Sequence, residues 1–127
     1  MPLTRQLGYS ADESSTQERL AFLIDSLDHE ILVYEDDGLI AWASLYVSHS
    51  LTSEPYVELI GLVVDSDHRS RGIGAKMMVA AEEWARSRGF SKLRLRTNLI
   101  RADAHRFYER IGYKAVKEQR VYEKELG

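Results

Sequence analysis

Val63-Val64-Asp65-Ser66-Asp67-His68-Arg69-Ser70-Arg71-Gly72-Ile73-Gly74 decides how this chain is read. An apolar run enters a polar turn holding two arginines and two glycines, and an amphipathic segment follows at once. Ile73, Met77, Met78, Ala81, Trp84 and Ala85 recur at helical spacing, and Gly89 closes the helix. A helix begins with unpaired N–H groups and the positive end of its dipole. Glycines there let backbone approach a ligand closely, so a turn of this kind suits phosphate. Arg69 and Arg71 can add charge or simply face solvent. The spacing is Arg-x-x-Gly-x-Gly. It is neither the Gly-x-Gly-x-x-Gly of dinucleotide folds nor a lysine-bearing P-loop.

Upstream, Tyr56–Val64 is apolar and β-branched and reads as a central strand. Gly61 within it signals a bulge or a close backbone approach. Before it, Glu30–Glu35 and Leu39–His49 read as a hairpin turning at Asp36-Asp37-Gly38, and Ser50–Pro55 as a loop. Thr16–Leu27 has helical spacing at Leu20, Leu23, Ile24 and Leu27. Downstream, Ser91–Arg96 alternates Leu93 and Leu95 with Lys92, Arg94 and Arg96, a strand pattern. Arg101–Ile111 reads as a helix stopped by Gly112, and Tyr113–Val116 and Arg120–Lys124 as two closing strands. The fold class is therefore α+β: a mixed, mostly antiparallel sheet flanked by helices.

The chain has 127 residues, 44% hydrophobic and 29% charged, which suits one globular domain over residues 1–127. No apolar run reaches the ~18–20 residues of a membrane span, and Met1–Tyr9 lacks a signal-peptide core. With no cysteine, the expectation is a cytoplasmic protein without disulfides. His29, His49, His68 and His105 make no ligand spacing, so no metal is expected. The net charge of −3 hides an asymmetry: residues 1–68 carry 13 acidic and 2 basic side chains, residues 69–127 carry 7 and 15. A basic half suits an anionic ligand and an acidic half a cationic one, unless both are solvated surface. The pI of about 5.8 and the lack of a stacking motif speak against nucleic acid.

Arg69-Ser70-Arg71-Gly72-Ile73-Gly74 resembles the acetyl-coenzyme A pyrophosphate loop of the GNAT superfamily of N-acetyltransferases. Asn98 and Ala104-His105-Arg106-Phe107-Tyr108-Glu109-Arg110-Ile111-Gly112-Tyr113 resemble that family's later motif, at the right spacing. The resemblance covers roughly residues 7–125 and implies a GNAT-like sheet. It implies that backbone of Leu62, Val63 and Val64 pairs with the pantetheine arm of acetyl-coenzyme A, the cosubstrate. It implies further that Arg69, Ser70, Arg71, Gly72, Ile73, Gly74 and Ala75 form the pyrophosphate loop, with amides from Ser70 to Ala75 holding the pyrophosphate. Asn98 would bond the pantetheine or nearby backbone, and Tyr108 would sit beside the thioester sulfur.

The implied reaction is direct acetyl transfer to a primary amine. A protonated amine must lose a proton before it attacks, backbone N–H groups can hold the oxyanion, and the departing thiolate benefits from an acid. Tyr108 can be that acid, or a core tyrosine. Glu58 is the candidate base, because a charged residue is out of place in a buried strand. The alternatives are a solvated Glu58 or one paired with an arginine. By strict alternation it would share a face with Ile60 and Leu62. Glu54 and His105 are weaker candidates for the base. Trp42 and Tyr46 share a face of their strand and either line an acceptor pocket or pack. The acidic half, where this family builds its acceptor site, favours a cationic amine.

Leu7-Gly8-Tyr9 comes almost at once, whereas family members place a strand and a helix before such a segment. The expectation is that the first strand and most of the first helix are absent, leaving an edge that suits a homodimer. A non-catalytic acyl-coenzyme A-binding or regulatory module is the alternative function.

Overall fold

The computed structural model describes residues 28–35, 38–68, 72–97 and 102–127. The helix expected over Thr16–Leu27 lies outside them. Two compact units divide the chain, the first ending at Arg96 and the second spanning Thr97–Gly127.

The first unit is built on a four-stranded sheet ordered β1-β2-β3-β4, with β1 at His29–Glu35, β2 at Leu39–Ser48, β3 at Tyr56–Val64 and β4 at Leu93–Leu95. The pairings β1/β2 and β2/β3 are antiparallel, and β3/β4 is parallel. Between β1 and β2, Gly38 has φ 115°, a conformation that an L side chain resists. A parallel pair needs a crossover. It is supplied by a short 3-10 turn, Ser66–His68, and helix α1, Ile73–Ser87.

Residues paired across an antiparallel ladder share a face. Ala41, Ala43, Leu45 and Val47 of β2 lie opposite Val64, Leu62, Leu59 and Val57. Helix α1 packs against β1, β2 and β3 on this side, where its Lys76 ammonium sits 6.0 Å from the Tyr34 ring. The core forms between them, from Ala41, Ala43, Leu45, Val47, Val57 and Leu59 of the sheet and Ile73, Met77, Met78, Ala81 and Ala85 of the helix, all buried. Each fully buried large side chain, such as Leu45 or Met78, contributes about 1.5–3 kcal/mol relative to exposure. Trp84, on the apolar side of the helix, is half-buried, with the Arg88 guanidinium 5.2 Å over its ring.

One irregularity reorganises β3. Ser44 pairs with Gly61 and Leu45 with Leu59, so Ile60 is left over as a bulge and is 54% exposed. The alternation reverses there. Glu58, opposite Tyr46, lies on the face turned away from α1, whereas Leu62, opposite Ala43, lies on the α1 face. The shared face expected for Glu58, Ile60 and Leu62 is therefore wrong. Glu58 shares its face with Gly61 and Val63.

In the second unit, helix α2 spans Ala102–Arg110. It ends where Gly112, at φ 103°, turns the chain and the Tyr113 N–H donates to the Tyr108 carbonyl at 2.9 Å. The two closing strands expected over Tyr113–Val116 and Arg120–Lys124 are not formed: residues 113–127 carry no helix or strand. Val116, Val121 and Tyr122 are 71%, 90% and 84% exposed. The apolar burial that would offset the entropy of ordering two short strands is not gained.

Candidate active site

Helix α1 opens on Gly72, whose φ of 77° and ψ of 9° are left-handed, with no side chain capping the helix end. The first amide to bond within the helix is that of Lys76, donating to the Gly72 carbonyl at 3.1 Å. The N–H groups of Ile73, Gly74 and Ala75 precede it and have no intrahelical acceptor. No acidic residue lies in the first turn to compete for them, and a Cβ at Gly72 would meet nothing within 4 Å. Buried Ile73 anchors this end of the helix to the core. Such an end is shaped and polarised for an anionic group. Arg69, Ser70 and Arg71 lie outside the described residues.

The turn follows a strand that outruns its neighbour. Strand β4 pairs with β3 only from Val57 to Leu59. Among the described residues, Ile60–Val63 continue alongside β2 with no β4 partner. Leu62 and Val63 thus belong to a strand segment whose second edge is open beyond the bulge, which suits an extended chain with amides of its own.

On the face away from α1, β3 and β4 bring ionisable groups together. Glu58 lies opposite Tyr46 on one side and Arg94 on the other. The Arg96 Nη1 donates to Glu58 Oε1, with the Glu58 side chain 18% exposed and that of Arg96 53%. The Arg94 guanidinium stacks 4.7 Å over the Tyr56 ring. A hydrogen bond from Ser48, above all, holds the Tyr56 phenol below its ordinary value; Arg94 and Arg96 assist, while burial and the Glu58 charge oppose. The Glu58 carboxylate holds the Arg96 guanidinium above its usual value, chiefly by its charge and further by its hydrogen bond. Farther along this face, the His29 and Tyr46 rings lie 5.1 Å apart. The Trp42 ring comes within 3.2 Å of where a Gly61 Cβ would stand. Its indole N–H is buried without a hydrogen-bond partner among the described residues. Trp42, Tyr46 and Glu58 therefore share one face, with Tyr46 directly opposite Glu58.

Tyr108 belongs to the second unit. Its ring meets Phe107 edge-on at 5.0 Å and Tyr113 at 6.0 Å. His105 is half-buried on the same helix. Asn98 lies outside the described residues. Glu54, before β3, is exposed. The described residues hold no cluster of His, Asp or Glu fit for a metal ion. No described helix is long and apolar enough to cross a membrane. The sequence reading passed over Tyr56 and Arg96, although the Lys92-x-Arg94-x-Arg96 alternation was a visible signal that one side of β4 is cationic.

Comparison with known proteins gives a consistent picture. The acetyltransferase (GNAT) family matches residues 3–113. The chain is 37% identical over 95 residues to the aminoalkylphosphonate N-acetyltransferase of Salmonella typhimurium, covering 74% of this chain and 62% of that enzyme. It therefore spans about three fifths of that relative's length. It is 26% identical over 96 residues to the aminoglycoside N(6')-acetyltransferase type 1 of Serratia marcescens, covering 72% and 66%. The structure of AAC(6')-Iy with a coenzyme A-containing bisubstrate analogue superposes with a TM-score of 0.89 at 18% identity, covering 98% of this chain and 88% of that one. That likeness establishes the fold: a mixed sheet with helices, in the arrangement of these acetyltransferases.

Proposed function

We propose that this chain, which belongs to the acetyltransferase (GNAT) family, is a single N-acetyltransferase domain that passes an acetyl group from acetyl-coenzyme A to a cationic primary amine by direct attack in a ternary complex. The observation that carries the reading is the edge of β3 at Ile60–Val63, which has no β4 partner among the described residues, with the left-handed Gly72 at the head of α1 following it in the chain. That pairing of features, within a family match covering both, fits an extended pantetheine arm followed by a pyrophosphate.

In this reading, backbone of Leu62, Val63 and Val64 aligns the pantetheine. Arg69, Ser70, Arg71, Gly72, Ile73, Gly74 and Ala75 cradle the pyrophosphate, and Asn98 steadies the arm. Glu58 takes the proton that the ammonium must lose before its nitrogen attacks the thioester carbon. As the carbon–sulfur bond breaks, Tyr108 gives its proton to the departing sulfur. Trp42 and Tyr46, on the Glu58 face, line the acceptor side. A carboxylate flanked by aromatic rings suits an ammonium group, and names among the relatives include an aminoglycoside acetyltransferase.

Calorimetric titration with acetyl-coenzyme A, followed by a free-thiol assay over spermidine, kanamycin and 2-aminoethylphosphonate, tests the proposal. Binding with amine-dependent thiol release supports it. Binding without release favours an acyl-coenzyme A-binding module, and no binding refutes the assignment of the loop. A strong preference for the phosphonate over the polycations refutes the cationic acceptor.

A further inference from the structure

Resting on the reading of Glu58 as the base, we propose that Arg96 is a positioning residue. It holds one carboxylate oxygen of Glu58 so that the other is presented to the acceptor amine. The ion pair spans β3 and the residue just beyond β4, in a diagonal across the parallel ladder. Glu58 is largely covered while Arg96 is half exposed, so the cation approaches from the rim and the carboxylate sits inward.

A carboxylate on a strand has two χ angles and a terminal rotation free to wander, and fixing it costs side-chain entropy. Arg96 opposes that loss with a charge-assisted hydrogen bond to Oε1. The bond leaves Oε2 as the available acceptor. Several described groups lie about Glu58 on this face. They are Tyr46 from β2 with His29 of β1 against it, Tyr56 from β3, and Arg94 and Arg96 from the β4 side.

Arg94 is spent on the Tyr56 ring, which leaves Arg96 as the cation bonded to Glu58. In the reaction the ammonium proton moves to Oε2 while Arg96 keeps its proton and its bond to Oε1. The guanidinium neither gains nor loses charge, which separates it from the catalytic residues proper.

The test is a double-mutant cycle of Arg96→Met and Glu58→Gln, with Arg96→Lys, on the full chain. It uses acetyl-coenzyme A with whichever of spermidine, kanamycin or 2-aminoethylphosphonate the protein acetylates fastest. Arg96→Met is expected to lower kcat about tenfold or more, with KM for acetyl-coenzyme A unchanged. Arg96→Lys, which keeps the charge without the planar fork, is expected to recover only part. Methylguanidine added to Arg96→Ala is expected to raise turnover, whereas methylamine is not. In the Glu58→Gln background, Arg96→Met is expected to cost nothing further, because its target is gone.

Full kcat in Arg96→Met, or an equal loss in both backgrounds, overturns the positioning role while leaving the Glu58 assignment intact. Wild-type turnover in Glu58→Gln refutes the base reading itself and the positioning role with it, as does absence of amine-dependent thiol release in the wild type. Urea unfolding of the wild type and the five variants provides the structural control. A kinetic loss matched by a collapse in stability overturns the positioning role, and a loss without one supports it.

Discussion

Replacing Gly72 by alanine separates two roles that the head of α1 combines. The residue sits at φ 77°, ψ 9°, where a Cβ strains the backbone by about 1–2 kcal/mol. A Cβ there meets nothing within 4 Å, so the cost is conformational and not steric. Part of it, about 0.4–1 kcal/mol, returns because alanine restricts the unfolded chain more than glycine does. The net expectation is a loss of about 1 kcal/mol in urea unfolding, or about 4 °C in thermal midpoint. Asparagine tolerates the left-handed region, so Gly72→Asn should recover most of that stability. Both side chains nevertheless occupy space that a pyrophosphate approaching the amides of Ile73 and Gly74 would need. Calorimetry should therefore show acetyl-coenzyme A affinity reduced about tenfold in both variants, about 1.4 kcal/mol each. Unaltered affinity in Gly72→Asn would refute close approach of the ligand at this residue. Unaltered stability in Gly72→Ala would refute the constraint on its backbone.

Other substitutions test other parts of the argument. Tyr108→Phe removes the proton but keeps the ring packing with Phe107 and Tyr113, and should lower kcat about 100-fold with acetyl-coenzyme A affinity intact; equal turnover removes it from the acid role. Gly61→Ala brings a Cβ within 3.2 Å of two Trp42 ring atoms and should destabilise by about 1–2 kcal/mol; Trp42→Phe, lacking those atoms, should relieve the added cost in a denaturation cycle. Tyr56 has its phenol held low by Ser48 and the two arginines, so the folded chain releases this proton at lower pH than the unfolded chain. Stability should thus rise with pH in the window between the folded value and the ordinary value of about 10, and gain nothing from Tyr56 at neutral pH. Urea midpoints that rise equally over that window in Tyr56→Phe would refute it.

The limits of β3 follow from its β-branched composition, and those of α1 from periodicity and two flanking glycines. Both signals are local. Gly61 hinted at an irregularity in β3, but which residue is extra depends on the partner strand. Alternation alone therefore put Glu58 on the face of Leu62, where the ladder does not. Three readings of Glu58 stood open: a base, a solvated carboxylate, or one paired with an arginine. The structure pairs it with Arg96, 38 residues away, a partner that only the parallel pairing of β3 with β4 reveals. The closing strands failed for a related reason. Tyr113–Val116 and Arg120–Lys124 have suitable side chains, but strand formation requires a neighbour, and propensity does not supply one. The cationic side of β4 was legible in Lys92, Arg94 and Arg96, and its use was not.

The extra residue at Ile60 puts the two halves of β3 out of phase, like a gear shifted by one tooth. Val57 and Leu59 face the helix from odd positions, and Leu62 and Val64 face it from even ones. Removing Ile60 would restore simple alternation, with Gly61 following Leu59, and would leave every other pairing with β2 on its present face. Glu58 would stay on the face of Gly61 and fully buried Val63, and Leu62 and Val64 would stay toward the helix. Substituting Ile60 and deleting it therefore both leave the facing intact, whereas a residue lost elsewhere in β3 would carry side chains across the sheet. What residue 60 sets is the local bend and twist of the strand, and not the side of the sheet that its neighbours occupy.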